Sequence, residues 1–135
     1  AEAEWRIRTQ WSLRAAATTT RGDDTDKDVP LPNVPPFKGS ASLRWTSTEG
    51  TYWIEPSTRY SWRTNRLPPP TSGVSQLTDF KKEWIVGDIF AGARVGNNLR
   101  VNVGVRNFTD RSYRMAFGSL DEPGLSVVGS LSTTF

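Results

Sequence analysis

The chain has 135 residues, 36% of them apolar, with a mean hydropathy of −0.53 and a net charge of +3 from 17 basic and 14 acidic residues. No stretch approaches the ~18 consecutive apolar residues of a membrane-spanning helix. There is no cysteine for a disulfide or thiolate site and no histidine for most zinc or nucleophile–base chemistry, and the mild charge does not argue for nucleic acid.

What the chain does contain is alternation with a period of two, the pattern of a strand with one oily and one wet face. In the first segment Ala1, Ala3, Trp5 and Ile7 alternate with Glu2, Glu4, Arg6 and Arg8. After a short turn, Trp11, Leu13, Ala15 and Ala17 alternate with Ser12, Arg14, Ala16 and Thr18. The third sets Phe37, Gly39, Ala41, Leu43 and Trp45 against Lys38, Ser40, Ser42 and Arg44. The fourth sets Tyr52, Ile54, Pro56, Thr58, Tyr60 and Trp62 against Trp53, Glu55, Ser57, Arg59, Ser61 and Arg63. In the fifth, Ile85, Ile89, Ala91, Ala93 and Val95 oppose Asp88, Phe90, Gly92 and Arg94. In the sixth, Leu99, Val101, Val103 and Val105 oppose Arg100, Asn102, Gly104 and Arg106. The last runs from Gly124 to Phe135, with Leu125, Val127, Gly129, Leu131, Thr133 and Phe135 against Ser126, Val128, Ser130, Ser132 and Thr134.

These seven segments predict an all-β protein, a transmembrane antiparallel β-barrel. Window averages hide such strands, because each is only half apolar. The wet column is rich in arginine, which a barrel lumen tolerates. The oily column carries Trp11, Trp45 and Trp62 near strand ends, where an interfacial girdle sits. Connections alternate in length. Short ones lie at Arg8–Gln10, Thr46–Gly50 and Gly96–Asn98. Long ones, rich in Asp, Pro, Gly and Ser and read as loops, run over Thr20–Pro36, about Thr64–Glu83 and about Thr109–Pro123. In outer-membrane barrels short turns are periplasmic and long loops extracellular, which places the C-terminus at the periplasmic face. Complete single-chain bacterial barrels have even strand numbers, so seven strands are expected to be the C-terminal part of a larger barrel. Ala1-Glu2-Ala3-Glu4 has neither the basic start nor the apolar stretch of a secretion signal, consistent with a removed leader or a piece of a longer protein.

Three stretches carry a family pattern. Leu31-Pro32-Asn33-Val34-Pro35-Pro36-Phe37-Lys38-Gly39 resembles the late-barrel strand entry of TonB-dependent outer-membrane receptors. Gly104-Val105-Arg106-Asn107-Phe108-Thr109-Asp110-Arg111-Ser112-Tyr113-Arg114 resembles that family's penultimate-strand motif. Pro123-Gly124, Val127-Val128-Gly129 and Phe135 resemble its closing strand. Leu125 stands where an arginine is common, and Phe108 replaces the usual Leu. The resemblance implies a 22-stranded barrel with a plug in its lumen and a box that engages TonB, neither plug nor box lying in this sequence. It also implies energised uptake of a scarce ligand, most often a ferric siderophore or a corrinoid, with no catalysis and no cofactor. The implied partners are the upstream barrel and plug segments (on the same or a separate chain), the TonB complex, outer-membrane lipid including lipopolysaccharide, and the barrel-insertion machinery that reads the last strand. The location implied is the outer membrane of a Gram-negative bacterium.

Candidate ligand contacts are Arg59 and Arg63, toward the outer end of the wet column, with Tyr60, Tyr113 and Phe117 at the mouth. Asn107, Phe108, Asp110, Tyr113, Gly129 and Phe135 are motif residues with an expected structural role. Strict alternation from Val105 would aim Asn107 at lipid and Phe108 at the lumen, so a bulge near Arg106–Asn107, or an Asx-type turn above the hydrocarbon, is expected. The remaining lumen arginines read either as an electropositive wall for an anionic chelate or as salt bridges to neighbouring strands or the plug. Asp23, Asp24, Asp26 and Asp28 lack the glycine and closing glutamate of a calcium loop and read as a solvated acidic loop, so no metal site is predicted. Two other classes fit parts of the pattern: a small complete OmpA-like barrel serving as adhesin or anchor, and a soluble β-sandwich binding module.

Overall fold

Residues that alternate apolar and polar, many of them aromatic or β-branched, extend as strands at each predicted place. The computed structural model describes residues 1–26, 28–31, 34–63, 82–116 and 118–134. Its strands are β1 (Glu2–Arg8), β2 (Trp11–Thr18), β3 (Asp23–Asp24), β4 (Val29–Pro30), β5 (Lys38–Thr46), β6 (Tyr52–Ser61), β7 (Trp84–Val95), β8 (Leu99–Arg106) and β9 (Ser126–Thr133). The seven long strands form one antiparallel sheet in chain order, β1-β2-β5-β6-β7-β8-β9. A single layer is not a sandwich. β1 and β9 do not touch, so among the described residues the sheet has two unpaired edges. Phe135 lies outside the described residues, as do Phe117 and the prolines Pro68, Pro69 and Pro70.

β3 and β4 differ from the expectation of a plain loop. Asp23 pairs with Pro30 and Asp24 with Val29, and the Asp26 amide donates to Asp24 Oδ1 at 3.0 Å. The acidic run is thus the turn of a small hairpin, for which Asp is suited because its side chain bonds backbone two residues on.

Apart from a shift between Arg6 and Arg8 that sets Arg8 opposite Trp11, the register keeps the two columns unmixed across the sheet. On one face Trp11 is opposite Trp45, Leu13 opposite Leu43 and Ala15 opposite Ala41. Farther along, Ile54, Ala91, Val103 and Gly129 lie in one row across β6 to β9. Trp5, Ile54, Ile89, Val103, Val127 and Leu131 stand exposed on this face. An apolar surface this continuous is what a lipid-facing wall presents.

Aromatic side chains bound that surface at both ends. Near the short turns, Trp11, Trp45 and Tyr52 form a row with ring centroids 6.5 and 5.6 Å apart. Near the long connections, Phe37 and Tyr60 sit 5.8 Å apart and line a hollow of about 830 Å³ with Trp62 and Ile85. The predicted girdle of Trp11, Trp45 and Trp62 therefore divides between two belts. Ten residues separate Tyr52 from Trp62 along the chain, which at ~3.3 Å each and a tilt of ~40° gives a band of about 25 Å, the height of a barrel's apolar zone.

On the polar face two aromatic rings lie across glycines. A Cβ at Gly104 would run into the Phe90 ring, and one at Gly92 into Trp53 and Asn102. Gly104→Ala is therefore expected to destabilise the sheet by about 1–3 kcal/mol. At Gly129 the nearest atom to an added Cβ is 3.7 Å away, and Gly129→Ala should change stability by less than about 0.5 kcal/mol. Denaturant unfolding of the two variants in detergent compares them directly.

Candidate functional site: the polar wall and its outer rim

Once the register is set, the polar column brings opposite charges from neighbouring strands together. Glu4 and Arg14 face each other across β1 and β2, and Arg14 Nε donates to Glu4 Oε2 at 3.3 Å. Arg44 Nη1 donates to Glu55 Oε2 at 3.2 Å, and its guanidinium lies 3.9 Å from the centre of the Trp53 ring. Arg59 holds Asp88 with two bonds, Nε to Oδ2 at 2.9 Å and Nη2 to Oδ1 at 3.2 Å. Of the two readings of the wall arginines, strand-to-strand bridging is what Arg14, Arg44 and Arg59 do. The face encloses a hollow of about 510 Å³ bounded by Arg14, Glu55, Arg59, Asp88, Phe90 and Arg106. Among the described residues no cluster of His, Cys, Asp or Glu is placed to hold a metal ion.

Asp88 is only 3% exposed, and its Oδ1 also accepts the Asn107 amide at 2.8 Å. Asn107 is itself 2% exposed and adopts φ 49°, a left-handed conformation that Asn tolerates better than most residues. Its Nδ2 donates to the carbonyls of Arg111 (2.9 Å) and Pro123 (3.2 Å). Its Oδ1 accepts from Thr109 Oγ1 (3.0 Å) and the Arg111 amide (3.1 Å). Asp110, also left-handed at φ 49°, accepts the Leu125 amide at 2.8 Å. Gly124 leaves room for that carboxylate, since a Cβ there would collide with it. The Asn107–Asp110 turn thus ties the end of β8 to the start of β9, and through Asp88 and Arg59 to β7 and β6.

The left-handed residue also resolves the facing of Phe108. Ladder pairing continues regularly to Arg106. The expected bulge is absent there and lies instead between Arg6 and Arg8. A turn closed by the Asp110 amide on Asn107 O at 2.8 Å reverses the chain, the Phe108 amide donates to Gly87 O at 2.9 Å, and its ring covers Gly87 on the apolar face. Asn107→Ala removes four side-chain hydrogen bonds and the tolerance for φ > 0, and should cost about 2–4 kcal/mol. Asn107→Asp keeps Oδ1 but turns a charged oxygen onto the Arg111 and Pro123 carbonyls in a buried place beside Asp88, and should cost at least as much at neutral pH; unfolding midpoints compare the two.

The predicted ligand contacts are not all brought together. Arg59 is on the polar face and engaged with Asp88. Tyr60, next in sequence, is on the opposite, apolar face between Gly39 and Ile85. Arg63 lies past the end of β6 and is exposed. Tyr113 is buried, its ring 4.5 Å from that of Trp84. Sequence reading missed Trp84 and Asp88 as the centre of this rim. The cue for Asp88 was a lone carboxylate two rows from Arg59 on the wet column.

In the long connection before β9, Arg114 Nε donates to Asp121 Oδ1 at 2.9 Å and Ser112 Oγ to Asp121 Oδ2 at 3.2 Å. The Arg114 hydrogen bond holds the Asp121 carboxyl below its ordinary value. A depressed folded-state pKa stabilises above the unfolded value and is lost as pH falls through the folded one. Protease susceptibility of this connection should therefore be flat from neutrality down to about pH 4 and rise below it, a dependence that Asp121→Asn removes.

Among solved structures, the chain is similar to the copper transporter OprC, with a TM-score of 0.83 and 21% sequence identity over 99% of this chain and 22% of that one. At that identity the likeness concerns the fold, and the chain spans under a quarter of its neighbour's length. No curated protein matches by sequence. The family model of the TonB dependent receptor-like β-barrel matches residues 1–108. With the continuous apolar face, the paired aromatic belts and the arginine-lined interior wall, that match sets aside the small OmpA-like barrel and the soluble sandwich: the chain is a segment of a TonB-dependent receptor β-barrel, a family of outer-membrane transport proteins of Gram-negative bacteria.

Proposed function

We propose that the chain forms the last seven strands of an outer-membrane receptor that imports a scarce ligand with energy delivered through TonB. In this reading the short turns and the C-terminus face the periplasm, and the long connections face outward. The plug and the TonB-engaging box belong to the upstream part of the receptor. Lipopolysaccharide meets the outer aromatic belt, and the barrel-insertion machinery reads β9. The cargo is a metal held in an anionic chelate, of the ferric siderophore class. The observation that carries this is the polar face, where cations outnumber carboxylates from Arg6 through Arg106; a positive interior concentrates an anionic ligand. Arg63, exposed beyond β6, is the contact best placed to meet it.

Uptake of radiolabelled ferric siderophores by cells with and without the complete receptor tests this reading. Uptake that needs both the receptor and TonB is expected. Receptor-dependent accumulation of copper with no siderophore uptake would replace the cargo while keeping the transporter, and uptake that persists without TonB would sink the energised mechanism.

A further inference from the structure

Alternation in the first segment puts Arg8 in the wet column with Arg6, but the structure moves it. The shift between Arg6 and Arg8 leaves Arg6 opposite Ser12 and sets Arg8 opposite Trp11, which is itself opposite Trp45. Among the paired positions of the seven long strands, Arg8 is the one charged residue registered in the apolar column. A bulge at a barrel rim re-aims a side chain, and here that side chain is a cation. Arg8 is exposed, and no carboxylate of the described residues pairs with it. Glu4, the nearest acid along β1, is taken by Arg14 on the polar face.

Its place along the strand decides what can compensate it. Arg8 is the last residue of β1, beside the short turn that leads to Trp11. It heads the row of Trp11, Trp45 and Tyr52 that makes up the short-turn belt. Trp and Tyr settle at the level of lipid headgroups, so the guanidinium stands at that level, where a charge on the lipid face costs little. What headgroups offer there is phosphate, whose oxygens match the guanidinium fork with two parallel hydrogen bonds.

We propose that Arg8, with Trp11 opposite it, binds the headgroup phosphate of an anionic phospholipid at the short-turn interface of the membrane. The inference uses the receptor reading above only to name the leaflet, which is then the periplasmic one. It also gives the bulge a purpose: with strict alternation the same arginine would join Arg6 on the interior wall.

The test titrates the complete receptor in detergent with phosphatidylglycerol and reads the bound lipid by native mass spectrometry. Arg8→Ala is expected to weaken the tightest binding step about fivefold, the effect of one cation beside an anionic lipid surface. Arg8→Lys keeps the charge without the fork and should fall between wild type and Arg8→Ala. Arg6→Ala removes the same charge from the polar face and should bind lipid as the wild type does. Unchanged binding in Arg8→Ala, the result expected if an acid of a strand preceding β1 takes up Arg8, overturns the proposal. So does a loss in Arg8→Lys as large as in Arg8→Ala, or an equal loss in Arg6→Ala. Should Arg8→Ala not assemble, equal binding of phosphatidylglycerol and phosphatidylcholine by the wild type overturns it as well. Lipid is read without TonB or cargo, so a failure here leaves the receptor reading standing, and failed uptake leaves the lipid site standing.

Discussion

Asp88→Ala is expected to destabilise the sheet by about 2–4 kcal/mol and to reduce the amount of assembled receptor in the outer membrane. The carboxylate is nearly inaccessible and serves two partners at once, the Arg59 guanidinium and the Asn107 amide. Its removal leaves a buried amide without an acceptor, worth about 1–3 kcal/mol, and a cation without its counter-charge. The Arg59 side chain is 33% exposed and recovers part of its hydration, which keeps the total below that of a fully buried pair. Asp88→Asn retains an acceptor for the Asn107 amide and should fall between wild type and Asp88→Ala. Because the two residues share one interaction, Arg59→Ala with Asp88→Ala should cost less than the sum of the single changes. Unfolding midpoints of the complete receptor in detergent measure all four. A loss at Asp88→Ala no larger than at an exposed position such as Asp121 would remove the network from the account of stability.

Val103→Arg is expected to cost about 2–4 kcal/mol, whereas Asn102→Arg, one residue away, should cost no more than about 1 kcal/mol. Val103 is in the middle of β8 on the apolar face, 49% exposed, with Ala91 and Gly129 on either side. In the membrane that exposure is to hydrocarbon, where a guanidinium cannot be hydrated. Asn102 is on the polar face, where its Nδ2 donates to Ser130 Oγ at 3.3 Å; an arginine there gives up one weak bond and reaches the water-filled side. Folding titrations into lipid vesicles compare the two variants. Equal losses would reverse the facing of the whole sheet, because one residue of register exchanges every side chain between its faces.

Strands, faces and connection lengths were legible in the sequence because each depends on neighbours along the chain. The alternation of Trp11, Leu13, Ala15 and Ala17 needs only a period of two to define a face. Even the turn at Asn107 was signalled, by the clash between strict alternation and the expected side of Phe108. The small hairpin of β3 and β4 escaped because a run of aspartates with one glycine reads as a loop whether or not two backbone pairs close it. Tyr60 was grouped with Arg59 although adjacent residues of a strand cannot share a lining, a point that alternation alone already contained.

By itself, the sequence determined a membrane-facing β-sheet with one oily and one charged surface, and the order in which its strands follow one another. Tertiary structure alone decided which charges are satisfied. Arg59 finds Asp88 at a sequence separation of 29, Asn107 finds Pro123 at 16, and Arg94 meets Arg100 instead of an acid. The physical reason is register: periodicity states the face on which a side chain stands, while the residue opposite it exists only once two strands have been aligned.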